Sequence, residues 1–378
     1  MKVLHLANHC HEIGNGIMNV AVDLACEQAR MGHNVLFGSA GGSYVELLEA
    51  HGVRHVFIPQ HWRRPFAALG GFHALGRLLR EQAPDIVHAH MMTGALMARA
   101  LAPFADFALV ATVHNEWQRS AVLMGVGDIV VCVSDAVGEA MAARGIDRAK
   151  LRTVRNGPLG SPRHRPAGSA PAPTLLRPAI LTLCGMVRRK GVAELIDAFA
   201  TIAERRPEAR LYLAGDGPDR AEFEEQAARL PCAARIVFLG FVPEPAPLLA
   251  QADVFVLASR NEPFGLVLAE AREAGCAIVA TAVGGIPEVL EHGRSGVLVA
   301  PGDAAALATA LDRLLADKKA RADLQRRAAE NIRWLSCARM AAETIAVYRE
   351  ALERVRHATA GRQPTGRAYT HHWNGWRR

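Results

Sequence analysis

The chain has 378 residues, of which 50% are hydrophobic and 21% charged, and this length and composition suit a globular protein of two domains. No uninterrupted apolar stretch reaches the roughly 20 residues that cross a bilayer, and the N-terminal run MKVLHLANHCHE carries no signal-peptide cleavage pattern. Seven cysteines without a C-x-x-C pair indicate reduced thiols, as in a cytoplasmic protein, rather than a disulfide framework. The net charge of +7 favours an anionic partner.

Short apolar segments alternate with helical ones through the first half of the chain. The helical segments are 19–32 and 72–84, where apolar residues recur at helical spacing. The predicted strands are 3–7, 34–39, 55–59, 85–90, 109–114 and 128–134. Strands that alternate with helices are typical of a parallel sheet with helices on both faces.

The segment 156–178 interrupts this alternation. It contains six prolines among small residues, so it predicts a linker rather than the interior of a helix or sheet. A second series of strands follows it, at 179–185, 210–215, 235–240, 253–258, 277–281 and 296–300. The chain therefore predicts two doubly wound, Rossmann-like α/β domains with a cleft between them.

Two places in the first half offer groups suited to binding. Gly14 and Gly16 open a helix, where the backbone can approach a phosphate closely, and a simple tight turn is the alternative. His114 ends a strand, at the edge where open α/β sheets bind ligands, and a structural role is the alternative. His88 and His90 end another strand, and we expect both to be hydrogen-bonded and to face the surface.

Cations cluster in the turn after the first strand of the second series. Arg188, Arg189 and Lys190 follow one another there, just before a helical segment. Cations at this place can stabilise a departing diphosphate, and an arginine can bind it through two hydrogen bonds. A solvated basic turn is the alternative.

Two carboxylates stand on either side of a Pro-Phe-Gly break. Glu262 precedes the break, and Glu270 follows after seven intervening residues. A helix is predicted from about Gly265 to about Gly275, and a helix N-terminus can hold a diphosphate. The two carboxylates would then accept hydrogen bonds from hydroxyls on opposite sides of that diphosphate, as a nucleotide sugar presents them. The alternative is a solvated pair on an ordinary helix.

The segment 258–303 resembles the nucleotide-sugar-binding region of the retaining GT-B glycosyltransferases of family 4 (glycosyl transferases group 1), and the resemblance extends over roughly residues 1–355. It implies an α/β fold of GT-B architecture. In that family the first Glu contacts the donor sugar and the second the ribose hydroxyls, positions held here by Glu262 and Glu270. Backbone amides contact the diphosphate and sugar at positions that match Phe264, Gly265, Leu266 and Val267.

The same resemblance assigns roles to three more residues. It implies that Gly16 faces the diphosphate across the cleft, and that His114, in a T-x-H run, lies near the donor sugar. It also carries Lys190 over as a cation at the diphosphate. The predicted catalytic residues are therefore Glu262, His114 and Lys190.

The chain departs from the family pattern in the basic turn. Met186 stands where an Arg is usual, so either Arg188 or Arg189 takes that role in donor binding, and the sequence leaves both open. The turn 283–288 does match the family, and there Glu288 is expected to cap the next helix.

The resemblance and the composition together predict five parts of the chain. The helix that crosses back onto the first domain is implied by the resemblance, and the basic tail is predicted to be disordered, with membrane contact as the alternative. The parts are an acceptor-side domain at 1–160, a Pro-rich linker at 161–178, a donor domain at 179–330, the crossing helix at 331–355 and the tail at 356–378.

The predicted function is that of a retaining glycosyltransferase that uses a nucleotide-diphosphate sugar as co-substrate and a saccharide or lipid-linked glycan as acceptor. The chain contains no Asp-x-Asp pair, so neither a metal nor another cofactor is expected. The predicted location is cytoplasmic, with peripheral contact at the anionic inner face of the membrane as a further candidate, and no nucleic-acid partner is expected. A GT-B-like nucleotide-sugar epimerase and a non-catalytic nucleotide-sugar-binding partner are the alternatives. The nucleotide, sugar, acceptor and oligomeric state stay open.

Overall fold

A computed structural model of the chain describes residues 1–12, 14, 16–60, 65–163 and 173–360. Within these residues the strands form two sheets, and every strand pair in them is parallel. The predicted α/β fold of two doubly wound domains is confirmed. We call the part built on the first sheet the first domain and the part built on the second sheet the second domain.

The sheet of the first domain has the strand order β3-β2-β1-β4-β5-β6-β7. Its strands are β1 (Lys2–Leu6), β2 (Asn34–Ser39), β3 (Arg54–Phe57), β4 (Ile86–Ala89), β5 (Ala108–Val113), β6 (Ile129–Cys132) and β7 (Leu151–Thr153). The strand order reverses between β1 and β4, where Leu4 lies opposite Leu36 on one side and Val87 on the other. A reversal of this kind opens a crevice at the carboxyl ends of the two strands.

The sheet of the second domain repeats this plan with the order β10-β9-β8-β11-β12-β13. Its strands are β8 (Ala179–Leu183), β9 (Arg210–Ala214), β10 (Ile236–Gly240), β11 (Val254–Leu257), β12 (Ala277–Thr281) and β13 (Val297–Val299). The reversal lies between β8 and β11, where Ile180 is opposite both Leu211 and Val254. The second domain therefore has its own crevice at the carboxyl ends of these strands.

Helices cover both sheets. Those of the first domain are α1 (Gly16–Arg30), α2 (Val45–Ala50), α3 (Pro65–Gln82), α4 (Met92–Leu101) and α5 (Asp135–Ala143). Those that follow are α6 (Val192–Ala203), α7 (Arg220–Ala228), α8 (Ala246–Leu249), α9 (Leu266–Glu273), α10 (Ile286–Val289), α11 (Ala304–Ala316), α12 (Lys318–Ala329) and α13 (Cys337–Ala360). Short 3-10 helices span Ala102–Phe104, Arg119–Val126, Arg148–Lys150, Arg188–Lys190, Ala233–Arg235, Glu291–Gly293 and Ile332–Leu335. Among the described residues, every helix is too short or too polar to span a bilayer.

The last helix, α13, packs against the first domain. Its Met340, Ile345 and Tyr348 share one buried cluster with Val3 of β1 and Val110 of β5. The apolar face of α13 therefore completes the core on one side of the first sheet, although α13 follows the second domain in the chain.

Backbone hydrogen bonds fix the point where the chain returns to the first domain. The amide of Leu159 donates to the carbonyl of Leu335 at 3.0 Å, and the amide of Cys337 donates to the carbonyl of Leu159 at 2.8 Å. The helix then continues to Ala360, beyond the predicted end at 355. The rest of the predicted tail, 361–378, and the linker residues 164–172 lie outside the described residues.

A carboxylate of the second domain caps a helix of the first. Glu288 accepts hydrogen bonds from the amides of Asp135 and Ala136, both at 3.2 Å, at the start of α5. The same carboxylate pairs with Arg155 at 2.7 Å. The expectation that Glu288 caps the next helix along the chain is wrong, because its side chain reaches across the domain boundary to the positive end of α5.

Arg272 of α9 is the largest fully buried side chain among the described residues. It donates hydrogen bonds to the carbonyls of Ala328, Val289 and Glu330 and pairs with Glu291 at 2.7 Å. A buried guanidinium is tolerated only when its donors are satisfied in this way. Arg272 therefore ties α9 to the segments that follow α10 and α12.

Replacing Arg272 by Met is expected to lower the free energy of unfolding by about 3–5 kcal/mol, because Glu291 and three carbonyls lose a buried partner. Urea unfolding followed by circular dichroism measures the loss. Arg294→Met is the matched control, since Arg294 is exposed and also pairs with Glu291, and it should cost no more than about 1 kcal/mol. Equal effects of the two substitutions would contradict the structural role of Arg272.

Candidate active site

A cleft of about 760 Å³ lies between the two domains, at the carboxyl ends of their strands. His114 borders it after β5, Cys184 and Gly185 after β8, and Gly215 and Asp216 after β9. The predicted site residues that line this cleft are Gly16, His114, Arg189, Lys190, Glu262, Phe264, Gly265, Leu266, Val267 and Glu270. The structure thus brings ten of the predicted residues, from both domains, around one space.

Two helix N-termini face each other across the cleft. One is that of α1 at Gly16, and the other is that of α9 at Leu266. They approach so closely that a Cβ on Gly16 would lie 3.1 Å from Cδ1 of Leu266. Gly265, which caps α9, has a φ of 89°, in the left-handed region that favours glycine. The partial positive charges of both helix N-termini suit an anion beside them.

Glu262 and Lys190 form an ion pair at the wall of the cleft. The ammonium of Lys190 donates to Oε2 of Glu262, and both side chains are largely buried, with exposed fractions of 15% and 11%. Ser259 Oγ donates to the same carboxylate oxygen at 3.4 Å. The pair joins a residue of the basic turn to one of the loop before α9, so it holds together two segments that are 72 residues apart.

The loop before α10 holds the backbone of Glu262 in place. The amide of Gly285 donates to the carbonyl of Glu262 at 3.1 Å. At Gly284, a Cβ would lie only 1.9 Å from that carbonyl oxygen. A side chain there would displace Glu262, which explains why two glycines stand together at this point of the sequence.

Arg188 and Arg189 point to different places. The guanidinium of Arg189 lies 4.6 Å from the ring centroid of Trp117, and its Nη1 is buried without a hydrogen-bond partner in the described part of the chain. The side chain of Arg188 is 74% exposed and pairs with Glu222 at 2.7 Å. Arg188 does not border the cleft, so the structure does not support its predicted contact with the donor. The two residues diverge because they are neighbours in a 3-10 turn.

Met186 is fully buried in the core of the second domain. Its backbone amide donates to the carbonyl of Asp216 at 2.9 Å. The side chain of Met186 therefore packs away from the cleft. Of the two arginines in this turn, Arg189, stacked on Trp117, is the one that lines the cleft.

Glu270 lies one turn inside α9, where it is partly buried and lines the cleft. Burial raises the pKa of this carboxyl to about 7, and the nearby Arg163 partly offsets the rise by favouring the carboxylate. Glu270 is therefore close to half-protonated at neutral pH. A ligand that donates hydrogen bonds to the carboxylate of Glu270 would lower the pKa of this group and so favour its ionised form.

Arg163 is a cleft residue that the sequence analysis missed. Its guanidinium pairs with the buried carboxylate of Asp23 in α1 at 2.7 and 2.9 Å, and Ser161 Oγ donates to the same carboxylate at 2.7 Å. Arg163 falls in the segment predicted as a linker, so nothing near it suggested a site. The available signal was Asp23, an acid in the apolar run of α1 that needs a buried partner.

His114 is joined to a layer of buried histidines behind the cleft. Its Nε2 lies 3.1 Å from Nδ1 of His90, and burial lowers the pKa of His114 to about 3, so the ring is neutral at ordinary pH. His88 and His90 are buried, which corrects the expectation that they face the surface, since α1 and α13 cover this side of the sheet. With His5 they have the spacing of a metal site, yet every ring nitrogen of these three already has a hydrogen-bond partner.

Comparison with known proteins places this chain in a family. The model of "Glycosyl transferases group 1" matches residues 176–331, and that of "Glycosyltransferase Family 4" matches residues 14–157. Glycogen synthase of Mycobacterium tuberculosis is 32% identical over 273 residues, which cover 65% of each chain. N-acetyl-alpha-D-glucosaminyl L-malate synthase of Bacillus anthracis is 38% identical over 143 residues, 38% of this chain and 37% of that one. The chain thus matches less than two thirds of the length of these relatives.

Solved structures share the fold over nearly the whole chain. HepE of Anabaena in complex with UDP has a TM-score of 0.76 at 22% identity and covers 93% of this chain and 100% of its own. A glycosyltransferase from Rickettsia africae has a TM-score of 0.79 at 21% identity and covers 93% of this chain and 98% of its own. With both halves matched by family models and with the GT-B arrangement of its domains, the chain belongs to the group 1 glycosyltransferases of the GT-B fold.

Proposed function

We propose that this chain is a retaining glycosyltransferase, which transfers a sugar from a nucleotide-diphosphate sugar to an acceptor hydroxyl. The observation that carries the proposal is the unpartnered Nη1 of Arg189, which lies beside the Lys190–Glu262 pair in the cleft between the domains. Glycogen synthase and N-acetyl-alpha-D-glucosaminyl L-malate synthase, both similar to this chain by sequence, support a sugar-transfer reaction.

In this proposal the diphosphate lies between the two helix N-termini. Arg189 and Lys190 supply cations, and the amides of Leu266 and Val267 at the start of α9 supply hydrogen bonds. Together they stabilise the negative charge that grows on the diphosphate as its bond to the sugar breaks. The complex of HepE with UDP supports a nucleoside diphosphate as the leaving group.

The two glutamates would hold the donor at opposite ends. Glu262 faces the sugar, where its carboxylate orients the hydroxyls and supports the positive charge that develops at the anomeric carbon. Glu270 accepts hydrogen bonds from the ribose hydroxyls. The acceptor oxygen bonds to the anomeric carbon on the face that the diphosphate leaves, and the acceptor proton passes to a departing phosphate oxygen. This route retains configuration and needs no covalent enzyme intermediate.

Metal independence is part of the proposal. Arg189, Lys190 and the two helix N-termini supply the positive charge that a divalent cation gives in other phosphoryl-leaving reactions, so activity should persist in excess EDTA. A saccharide or lipid-linked acceptor and a site of action in the cytoplasm or at the inner face of the membrane stay predictions.

Arg189→Met is expected to lower kcat/KM about 100-fold, because the departing diphosphate loses a charged donor that acts mainly in the transition state. The rate of nucleoside diphosphate release from a panel of UDP-, GDP- and ADP-sugars, with mixed saccharide acceptors, measures the effect. Arg188→Met is the matched control, because the side chain of Arg188 pairs with Glu222. This variant should retain activity within about twofold.

Glu262→Gln tests the same site from the sugar side, with an expected loss of about 100-fold or more. Equal activity of the Arg188 and Arg189 variants would contradict the proposed donor site. Binding of a nucleotide sugar without turnover would support the non-catalytic partner instead, and interconversion of sugars without acceptor would support the epimerase. An inverted anomeric configuration in the product would overturn the retaining route alone.

The affinity for a nucleoside diphosphate is expected to rise about tenfold between about pH 6 and about pH 8. Glu270 has a pKa of about 7, and only its carboxylate form accepts both ribose hydroxyls, so binding strengthens as the group ionises. Isothermal titration calorimetry at matched ionic strength measures this. Glu270→Gln should flatten the rise, whereas Glu273→Gln, an exposed carboxylate on the same helix, should keep it. An unchanged rise in Glu270→Gln would exclude Glu270 as the titrating group.

A further inference from the structure

We propose that a directed chain of hydrogen bonds from Gln28 through His5 and His90 fixes the tautomer of His114, so that its Nδ1 is offered to the cleft as a hydrogen-bond acceptor. Gln28 is then a positioning residue for the site, although it lies on the far side of the histidine layer. Its effect on catalysis rests on the proposed function, whereas the tautomer itself does not.

The strand register places these histidines on one face of the first sheet. His5 of β1 lies directly opposite His88 of β4, and His90 follows His88 by two residues, so all three side chains point the same way. Helices α1 and α13 cover this face and contribute Gln28 and Tyr348. The layer is therefore covered on the side of the helices. Of its described histidines His114 borders the cleft, and His90 borders a smaller neighbouring cavity that His114 also lines.

Each link of the chain is short. His5 Nε2 lies 2.9 Å from Gln28 Oε1, and His5 Nδ1 lies 2.9 Å from His90 Nε2. His90 Nδ1 lies 3.1 Å from His114 Nε2. All of these distances are those of N–H···O or N–H···N hydrogen bonds, so each contains one proton.

The amide of Gln28 sets the direction of the chain. Its Nε2 donates to the hydroxyl of Tyr348 at 3.1 Å, so its Oε1 faces His5 and can only accept. The Nε2 of His5 must therefore carry a proton. Burial lowers the pKa of His5 to about 4, that of His114 to about 3 and that of His90 well below its usual range, so each ring is neutral and has one N–H.

The remaining protons follow in order. Since Nε2 of His5 is protonated, its Nδ1 is bare and accepts from Nε2–H of His90. The Nδ1 of His90 is then bare and accepts from Nε2–H of His114. The Nδ1 of His114 is left with a lone pair, and it is the one ring nitrogen of the four histidines without a partner among the described residues.

The other branch of the network ends away from the cleft. The hydroxyl of Tyr348, which accepts from Gln28, donates its O–H to Nδ1 of His88 at 2.6 Å, and Nε2–H of His88 donates to Thr112 Oγ1 at 2.6 Å. This branch gives the buried polar atoms of His88 and Tyr348 their hydrogen-bond partners, so the burial of these two residues does not depend on the site. Gln28 is the residue that both branches share, and the orientation of its amide gives each branch its direction.

The unprotonated Nδ1 of His114 gives the cleft a hydrogen-bond acceptor for a sugar hydroxyl. Sugar hydroxyls donate as well as accept, and Lys190 and Arg189 can only donate. A bare Nδ1 on His114 adds an acceptor from the first domain to the cleft, which Glu262 lines from the second domain. With the opposite tautomer, His114 would offer a donor there and lose a hydrogen bond to any hydroxyl that must itself donate.

The tautomers can be read directly by long-range ¹⁵N–¹H correlation spectra of histidine-labelled protein. The wild type should show His114, assigned by comparison with His114→Ala, as the Nε2–H form. Gln28→Met, which removes the acceptor for His5, should give a mixture of both forms. His114 as the Nδ1–H form in the wild type would overturn the inference whether or not the chain is a transferase.

A double-mutant cycle separates this role from a merely structural one. Gln28→Met should lower kcat/KM about tenfold, the effect of one lost hydrogen bond, and should have no further effect in a His114→Ala background. Equal losses in both backgrounds would show that Gln28 acts through stability and not through His114.

Discussion

The buried guanidinium nitrogen of Arg189 is the constraint on which the site depends. Lys190 is paired with Glu262, and Arg163 with Asp23, whereas Nη1 of Arg189 has no hydrogen-bond partner in the described chain. Leaving a charged donor buried and unpaired costs free energy, and stacking on Trp117 returns only part of it. The two helix N-termini add partial positive charge to the cleft. A bound anion that accepts a hydrogen bond from this nitrogen would therefore stabilise the folded protein.

The groups around this cleft are held by parts of the chain far from it. The loop at Gly284 and Gly285 fixes the backbone of Glu262, and Glu288 in the same loop caps α5 of the other domain. On the opposite wall, His114 rests on a histidine layer covered by α13. The site therefore forms only when both domains and the returning helix are in place. Its few polar residues depend on elements from most of the length of the chain.

The fold was largely predictable because its signal is local. Apolar runs that alternate with helical segments predicted both sheets, and the helix that follows Gly265 was placed nearly to the residue. The strand β7 was missed because three residues carry too little pattern. Partners distant in sequence were not predictable: Arg163 needs Asp23, 140 residues away, and the burial of Arg272 needs carbonyls of later segments. Sequence also left Arg188 and Arg189 equivalent, since only the turn decides which of them enters the cleft.

Thermal unfolding with UDP, GDP or ADP tests the central claim most directly, namely that the charge of Arg189 is balanced by a bound nucleoside diphosphate. A ligand at about 100 times its dissociation constant adds roughly 2.7 kcal/mol to the stability of the folded protein, which raises the midpoint by a few degrees. We expect this rise with one of the three nucleotides, retained in Arg188→Met and lost in Arg189→Met. The same rise in both variants, or none with any nucleotide in the wild type, would contradict the claim.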